Sequence, residues 1–297
     1  MSAGPDDPAW GFAMSAPVDG FRLRYVRRGS GAPVVLLHGW PGCWWDQHRV
    51  LELLEGEFDV VVPDLRGFGG SDRHDVEPRP AYGADGQAAS VLGLLDELGI
   101  ERAVVHGYDV GSRVAQALAR RAPDRVAALV VAPPFASFGH RPTSREAQGE
   151  FWYQHFHRLG LAEELLDGRL EAVRAYLGHF WHHWGGDRDV LDPEGLDALA
   201  RMYARPGALR ASIAWYRAGA GSTSQPAVPE HPPLTLPVIA LCGARDPLFS
   251  VAWTDALHLD FEDVDLRIVD DVAHFTPVEA PAVVADAIRA AARRAGP

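Results

Sequence analysis

Gly107-Tyr108-Asp109-Val110-Gly111-Ser112 lies where an apolar run gives way to an Ala-rich helical stretch. Small residues two before and two or three after the central position suit a tight strand-to-helix turn, because the backbone packs against its neighbours there and the central side chain is driven outward. The spacing is that of a nucleophile elbow, with a carboxylate where serine is the familiar occupant. An aspartate so placed can attack carbon and form an ester. The expected target is an electrophilic carbon, as in an epoxide or alkyl halide, rather than a peptide or simple ester. A bland reading competes: aspartate also suits a helix N-cap.

Working outward, short apolar runs alternate with amphipathic ones. A hairpin is expected around Val18-Asp19-Gly20, with β character through residues 21–26. Strands follow at 33–38, Phe58–Pro63, 103–106 and Val126–Ala132, and helices at 44–54, 84–98 and 114–121. Strand and helix resume at 237–241, Val264–Val269 and 280–294. This alternation implies a mostly parallel, doubly wound sheet with helices on both faces. Residues 136–225 break the pattern: they are rich in Trp, His, Tyr and helix formers, and a Gly/Ser/Pro-rich connector at 219–233 closes them. The expected organisation is one α/β core (14–135 and 226–297) carrying an inserted helical cap (136–225), behind a flexible N-terminal stretch (1–13).

Composition narrows the function classes. Of 297 residues, 47% are hydrophobic, enough for a substantial core. A formal net charge of −12 repels polyanions, so neither nucleic acid nor an anionic membrane surface is expected as a partner. The longest apolar stretch, 127–138, is interrupted by Pro133 and Pro134 and is too short to span a bilayer. Residues 1–10 lack an apolar signal core, and two distant cysteines, Cys43 and Cys242, fit free thiols in a reducing compartment. A cytoplasmic location is expected, with the chain as monomer or homodimer.

Ligands bind open parallel sheets at the carboxyl ends of the strands, and the candidates sit there. His38-Gly39-Trp40-Pro41-Gly42 follows the first parallel strand and Asp109 the third; Asp246 and His274 follow the two C-terminal strands. The order Asp109, Asp246, His274 is the chain order of a nucleophile, acid, base triad. With His38-Gly39-Trp40-Pro41, the run Pro63-Asp64-Leu65-Arg66-Gly67-Phe68-Gly69-Gly70-Ser71-Asp72 and the aspartate elbow, the chain resembles the α/β-hydrolase superfamily. Within it, the resemblance from about Val18 to the C-terminus is to the soluble epoxide hydrolases.

That resemblance implies an α/β-hydrolase fold with a cap, and a cofactor- and metal-independent enzyme acting on a small-molecule epoxide and water. Asp109 would be nucleophile, His274 base and Asp246 its orienting acid, with backbone N–H groups of Trp40 and Val110 as oxyanion hole. Epoxide hydrolases place two cap tyrosines over the nucleophile; Phe151-Trp152-Tyr153 and Ala214-Trp215-Tyr216-Arg217 resemble the segments that supply them. Tyr153 and Tyr216 are thus the expected acids, with Trp152, Trp181, Trp184, Trp215 and Phe135 as candidate pocket residues. Haloalkane dehalogenases are similar to one another in a tryptophan directly after the nucleophile, where this chain has Val110. Fluoroacetate dehalogenases carry two arginines nearby, of which only Arg113 is present.

Competing readings remain. A dehalogenase could use the same aspartate, and a silent hydrolase-fold binding protein would need no triad. Ser112 lies three residues past Asp109 and suits packing. Asp270 and Asp271 rival Asp246 but precede His274 too closely to orient it. The tyrosines could be packing residues, and His274 a surface histidine. His155, His157, His179, His182 and His183 lack cysteine or acidic ligands at metal-site spacing. Gly67-Phe68-Gly69-Gly70 lacks the lysine of a phosphate loop and reads as a turn.

Overall fold

Runs such as Val34-Val35-Leu36-Leu37 and Val60-Val61-Val62 offer no polar face, so their strands must be covered on both sides. The computed structural model describes residues 4–135, 138–224 and 229–296. In chain order the elements are β1 (Ala13–Met14), β2 (Arg24–Gly29), β3 (Ala32–Leu37), α1 (His48–Leu54), β4 (Phe58–Pro63), α2 (Pro78–Tyr82), α3 (Ala84–Glu97), β5 (Ala103–Tyr108), α4 (Val110–Arg121) and β6 (Val126–Ala132). Helices α5 (Arg145–His157), α6 (Gly160–Leu166), α7 (Leu170–His183), α8 (Pro193–Tyr203) and α9 (Ala208–Arg217) follow without an intervening strand. Then come β7 (Val238–Gly243), β8 (Val264–Val269), α10 (Thr276–Glu279) and α11 (Pro281–Ala295).

Among the described residues, eight strands form one sheet in the order β1-β2-β4-β3-β5-β6-β7-β8. Strands β1 and β2 pair antiparallel, as do β2 and β4; the remaining pairs are parallel. This is the mostly parallel sheet that the alternation implied, and the α/β-hydrolase fold that the resemblance implied. Register brings the carboxyl ends to one edge: Leu37 pairs with Gly107, Tyr108 with Ala132, and Gly243 with Val269. The residues after β3, β5, β7 and β8 therefore share one rim of the sheet.

Several boundaries differ from the sequence reading. Strand β5 runs to Tyr108 and α4 begins at Val110, so the turn between them is the single residue Asp109. The expected domain limits at 136, 225 and 226 lie outside the described residues. Within the stretch 1–13, read as flexible from its Pro and Asp content, residues 5–12 make specific contacts. Trp10 and Phe12 meet Trp44 edge-on at 5.1 and 5.3 Å, the Trp44 indole N–H donates to the Pro5 carbonyl, and Asp6 bridges Arg24 and Arg205 at 2.6 Å each. Two aromatic side chains and one carboxylate decide its placement; average composition conceals them. No helix among the described residues is long and apolar enough to cross a membrane.

The one-residue turn works because backbone approaches backbone on both sides. A methyl group at Gly107 would strike the Gly111 carbonyl, and one at Gly111 would strike the Leu37 and His38 carbonyls. Overpacking of a rigid backbone costs roughly 1–3 kcal/mol. Gly111→Ala is therefore expected to lower stability by about that amount, read as a reduced midpoint in urea unfolding against the unaltered protein.

Candidate active site

Asp109 stands between a fully buried strand and a helix, with φ 49° and ψ −117°. A non-glycine residue there carries strain of about 1–3 kcal/mol, which surrounding structure must hold. The Asp109 N–H donates to the Ala132 carbonyl at 2.9 Å, and Gly39 leaves room that a side chain would deny: its Cβ would lie 2.6 Å from that of Asp109. The carboxylate is thereby aimed at the rim of the sheet. Its Oδ1 accepts the Trp40 N–H at 2.8 Å. Val110 opens α4, so its N–H is among the four at that terminus with no intrahelical acceptor.

Beyond β8 the chain returns His274 to the same place. Its Nδ1 lies 3.0 Å from Asp246 Oδ2 and its Nε2 3.3 Å from Asp109 Oδ2. A carboxylate only accepts, so Nδ1 carries a proton. The Nε2 contact is out of line for a hydrogen bond, leaving that nitrogen without a hydrogen-bond partner. Asp246 is fixed through Oδ1 by the N–H groups of Leu248 (2.8 Å) and Phe249 (3.2 Å). Neither Asp270 nor Asp271 takes this place. Burial alone would push the His274 imidazole down, but Asp246 and then Asp109 outweigh it and hold its pKa up at about 10.

Helices α5 and α9 roof the carboxylate with aromatic rings. The rings of Tyr153 and Tyr216 are perpendicular and 5.5 Å apart, and Gln154 Nε2 donates to the Tyr153 hydroxyl at 3.1 Å. Burial, then the Asp109 charge, keeps Tyr153 well above the usual phenol range; burial, Tyr153 and Asp109 do the same for Tyr216. Both are neutral O–H donors at neutral pH. The Trp40 ring stacks on Tyr153 (5.6 Å, 3°) and Trp184 stands edge-on to Tyr153 and His274. Asp109, Tyr153, Tyr216, Trp215, Phe135 and Arg113 line a cleft of only about 10 Å³, room for one water.

The expected pocket residues separate. Trp215 and Phe135 line the cleft, and Trp184 abuts the histidine. Trp152 does not reach it: it is 42% exposed and packs on Phe156, Tyr176 and Phe180, because it lies on the opposite side of α5 from the adjacent, buried Tyr153. Trp181 is a strut, its indole N–H on the Pro41 carbonyl (2.9 Å) and its ring stacked on Phe275 at 3.9 Å.

The sequence reading named His38 without a role and missed Glu279, Gln154 and Ser222. His38 accepts the Leu65 N–H at Nε2 (3.0 Å) and so donates from Nδ1 to the Gly39 carbonyl (2.9 Å), tying the Trp40 loop to the loop after β4. Glu279 receives the N–H groups of Ala273 and Phe275, bracketing His274. Gln154 and Ser222 also line the cleft. Only Glu279, a carboxylate five residues after a candidate base, left a local trace. Among the described residues no group of three His, Cys, Asp or Glu side chains could hold a metal; His183 instead pairs with Glu150 and Asp187.

A family model described as alpha/beta hydrolase fold matches residues 32–281. A soluble epoxide hydrolase of Corynebacterium sp. (strain C12) is 30% identical over 279 residues, covering 91% of this chain and 93% of that protein. A fluoroacetate dehalogenase of Burkholderia sp. is 31% identical over 203 residues, 66% of either chain. Among solved structures, the epoxide hydrolase CorEH without ligand superposes with a TM-score of 0.79 at 28% identity, covering 93% of this chain and 95% of that one.

The raised pKa of His274 carries a stability consequence. A folded value near 10 against an ordinary 6.5 means the contribution is fully present below about 6.5 and is lost as pH rises towards 10. Thermal unfolding across that window should show Tm falling more steeply for the unaltered protein than for His274→Gln. Parallel curves would mean that the imidazolium is not held between the two carboxylates.

Proposed function

The chain belongs to the α/β-hydrolase family, as an epoxide hydrolase-type member, and on that premise we propose that it opens an epoxide to a vicinal diol through an ester on Asp109. The observation that carries this reading is one carboxylate meeting three functions: a backbone donor on Oδ1, an imidazole at Oδ2, and two phenols overhead. Helices α5–α9 act as the cap.

In the first step Asp109 Oδ2 attacks an epoxide carbon from the face opposite the departing oxygen. The carbon–oxygen bond breaks, and Tyr153 and Tyr216 donate to the developing alkoxide, which takes the proton of one of them. Oδ1, already on the Trp40 N–H, becomes the ester carbonyl oxygen. Esterification also removes the Asp109 negative charge, one of the two that hold His274 up. The imidazole pKa falls, the imidazolium passes its Nε2 proton to the phenol that protonated the alkoxide, and Nε2 then takes a proton from water. That water adds to the ester carbonyl, and the oxyanion forming at Oδ1 is stabilised by the Trp40 N–H, with Val110 as second donor. Collapse releases the diol, protonated by His274, and leaves Asp109 with one oxygen from water; the proton left on its carboxyl group passes to His274, which restores the carboxylate and the imidazolium. No cofactor or metal enters this scheme.

Arg113 in the cleft and the Burkholderia relative favour a second reading, dehalogenation by the same aspartate. Halide release from a haloacid without diol from any epoxide would select it.

His274→Gln, incubated with styrene oxide, should accumulate the ester, seen by mass spectrometry as one added substrate mass on the peptide containing Asp109. An unmodified Asp109 peptide in enzyme that still consumes the epoxide would sink the mechanism. Tyr153→Phe and Tyr216→Phe should each lower kcat by about 10²–10³ while leaving measurable diol formation in a chromatographic assay.

A further inference from the structure

The loop that offers the Trp40 N–H to Asp109 rests on a buried acid that the proposed scheme does not use. Asp46, in the short helical turn Trp44–Gln47, is 6% exposed. Its Oδ2 lies 2.5 Å from the hydroxyl of Tyr108, the fully buried residue directly before Asp109. These two side chains underlie the loop from end to end. A methyl group at Gly39 would lie 2.9 Å from Tyr108 ring atoms, and one at Gly42 would strike the Asp46 carboxyl group. From above, the Trp181 indole N–H and the Tyr203 hydroxyl donate to the Pro41 and Gly42 carbonyls at 2.9 and 2.8 Å. The loop is clamped between α7 and α8 on one side and the Tyr108–Asp46 pair on the other.

The groups around Asp46 decide whether it carries a charge. Facing it are Tyr108 from β5, Cys43 of the adjoining loop, Asp64 after β4, Asp109 in the elbow and Tyr203 from α8. Among the described residues no cation pairs with Asp46; Arg24, which acts on Cys43 and Asp64, is engaged by Asp64 and Asp6. A buried carboxyl group without a cation, next to two other carboxylates, favours its neutral form. Burial is the leading cause; Tyr108 and the Cys43 amide oppose it, Asp64 and Asp109 add to it, and the pKa is pushed up to about 8. Tyr108 is held well above the usual phenol range, so the pair gives up its first proton from Asp46.

We propose that Asp46 is a positioning residue for hydrolysis of the Asp109 ester: as an uncharged carboxyl group it supports, through Tyr108 and Gly42, the loop whose Trp40 N–H donates to the oxyanion. This rests on the epoxide hydrolase reading and adds a residue to its second step. An ionised Asp46 puts a negative charge under a loop that must accommodate another at Asp109 Oδ1, and like charges repel strongly in a low-dielectric interior. Attack on the epoxide is not opposed in this way, since it moves negative charge off Asp109 towards Tyr153 and Tyr216. Ester formation and ester hydrolysis therefore respond differently to the same proton.

The test follows the ester formed from styrene oxide by rapid quench and intact-protein mass spectrometry, from about pH 6 to 10. A carboxyl group titrating at about 8 keeps its proton in about one molecule in ten at pH 9, so ester hydrolysis in the unaltered protein should fall about 10-fold from pH 7 to 9. Ester formation should not fall. The His274 base by itself would give the opposite trend, because it is freer to take a proton as pH rises. Asp46→Asn should abolish the fall. Tyr108→Phe removes a donor that favours the ionised form, so it should move the fall to higher pH, and it provides the test if Asp46→Asn fails to fold. A role in stability alone would lower the rate equally at every pH. Infrared spectra of the unaltered protein should show a protonated-carboxyl band that disappears with a midpoint near 8 and is missing in Asp46→Asn. Ester hydrolysis with the same pH course in Asp46→Asn, a fall unmoved by Tyr108→Phe, or no such band overturns the inference and leaves the epoxide hydrolase reading standing. The band without an ester on Asp109 at any pH removes that reading, and the role given to Asp46 with it.

Discussion

Everything at the rim of the sheet depends on the backbone of Asp109. Its φ of 49° and ψ of −117° let a buried strand become a helix within one residue, and the conformation persists only because close backbone contacts leave no alternative. Gly107 and Gly111 let the turn close, Gly39 lets the next loop pass beside the Asp109 side chain, and the Ala132 carbonyl anchors its N–H. The Trp40 loop is seated against this turn, and the helix terminus directly after it supplies the neighbouring N–H groups. A looser turn would move the carboxylate and its donor apart together.

Charge around that carboxylate is balanced within a small, dry volume. His274 is buried completely, yet two carboxylates hold it in the cationic form, and Asp246 is satisfied by two backbone N–H groups of its own. Under the proposed mechanism this balance becomes a sequence of events, because forming the ester removes one of those negative charges. The base is then released by the chemistry that needs it. The same low-dielectric setting keeps Tyr153 and Tyr216 protonated, so the roof stays a pair of donors while the floor stays an anion.

Aromatic packing joins roof to floor. Trp40 belongs to the sheet rim through its N–H and to the helices above it through its ring, which meets Tyr153, His157, Phe180, Trp184 and Tyr216. Trp181 and Tyr203 reach down from α7 and α8 to the carbonyls of Pro41 and Gly42, and His274 N–H reaches up to the Trp184 carbonyl. Movement of the helices over the cleft is thereby coupled to the loops that hold Asp109 and His274.

The sequence by itself determined the sheet, the elbow and the chain order of Asp109, Asp246 and His274. Those features are local: an all-apolar run of strand length, glycines at fixed offsets, a polar residue just past a strand end. It also marked Tyr153 and Tyr216, through the motifs around them. It could not separate Trp152 from Trp215, since both sit beside a tyrosine and only helix orientation turns one to solvent and the other to the cleft. It read residues 1–13 as flexible because composition averages over the few side chains that dock. Arg113 was visible as a letter and not as a wall of the cleft. Its position follows from residues far apart in the chain, Phe135 and Ser222, which meet it only when the sheet and the helices over it have closed. Contacts at such separations obey packing and desolvation, which the folded chain alone decides.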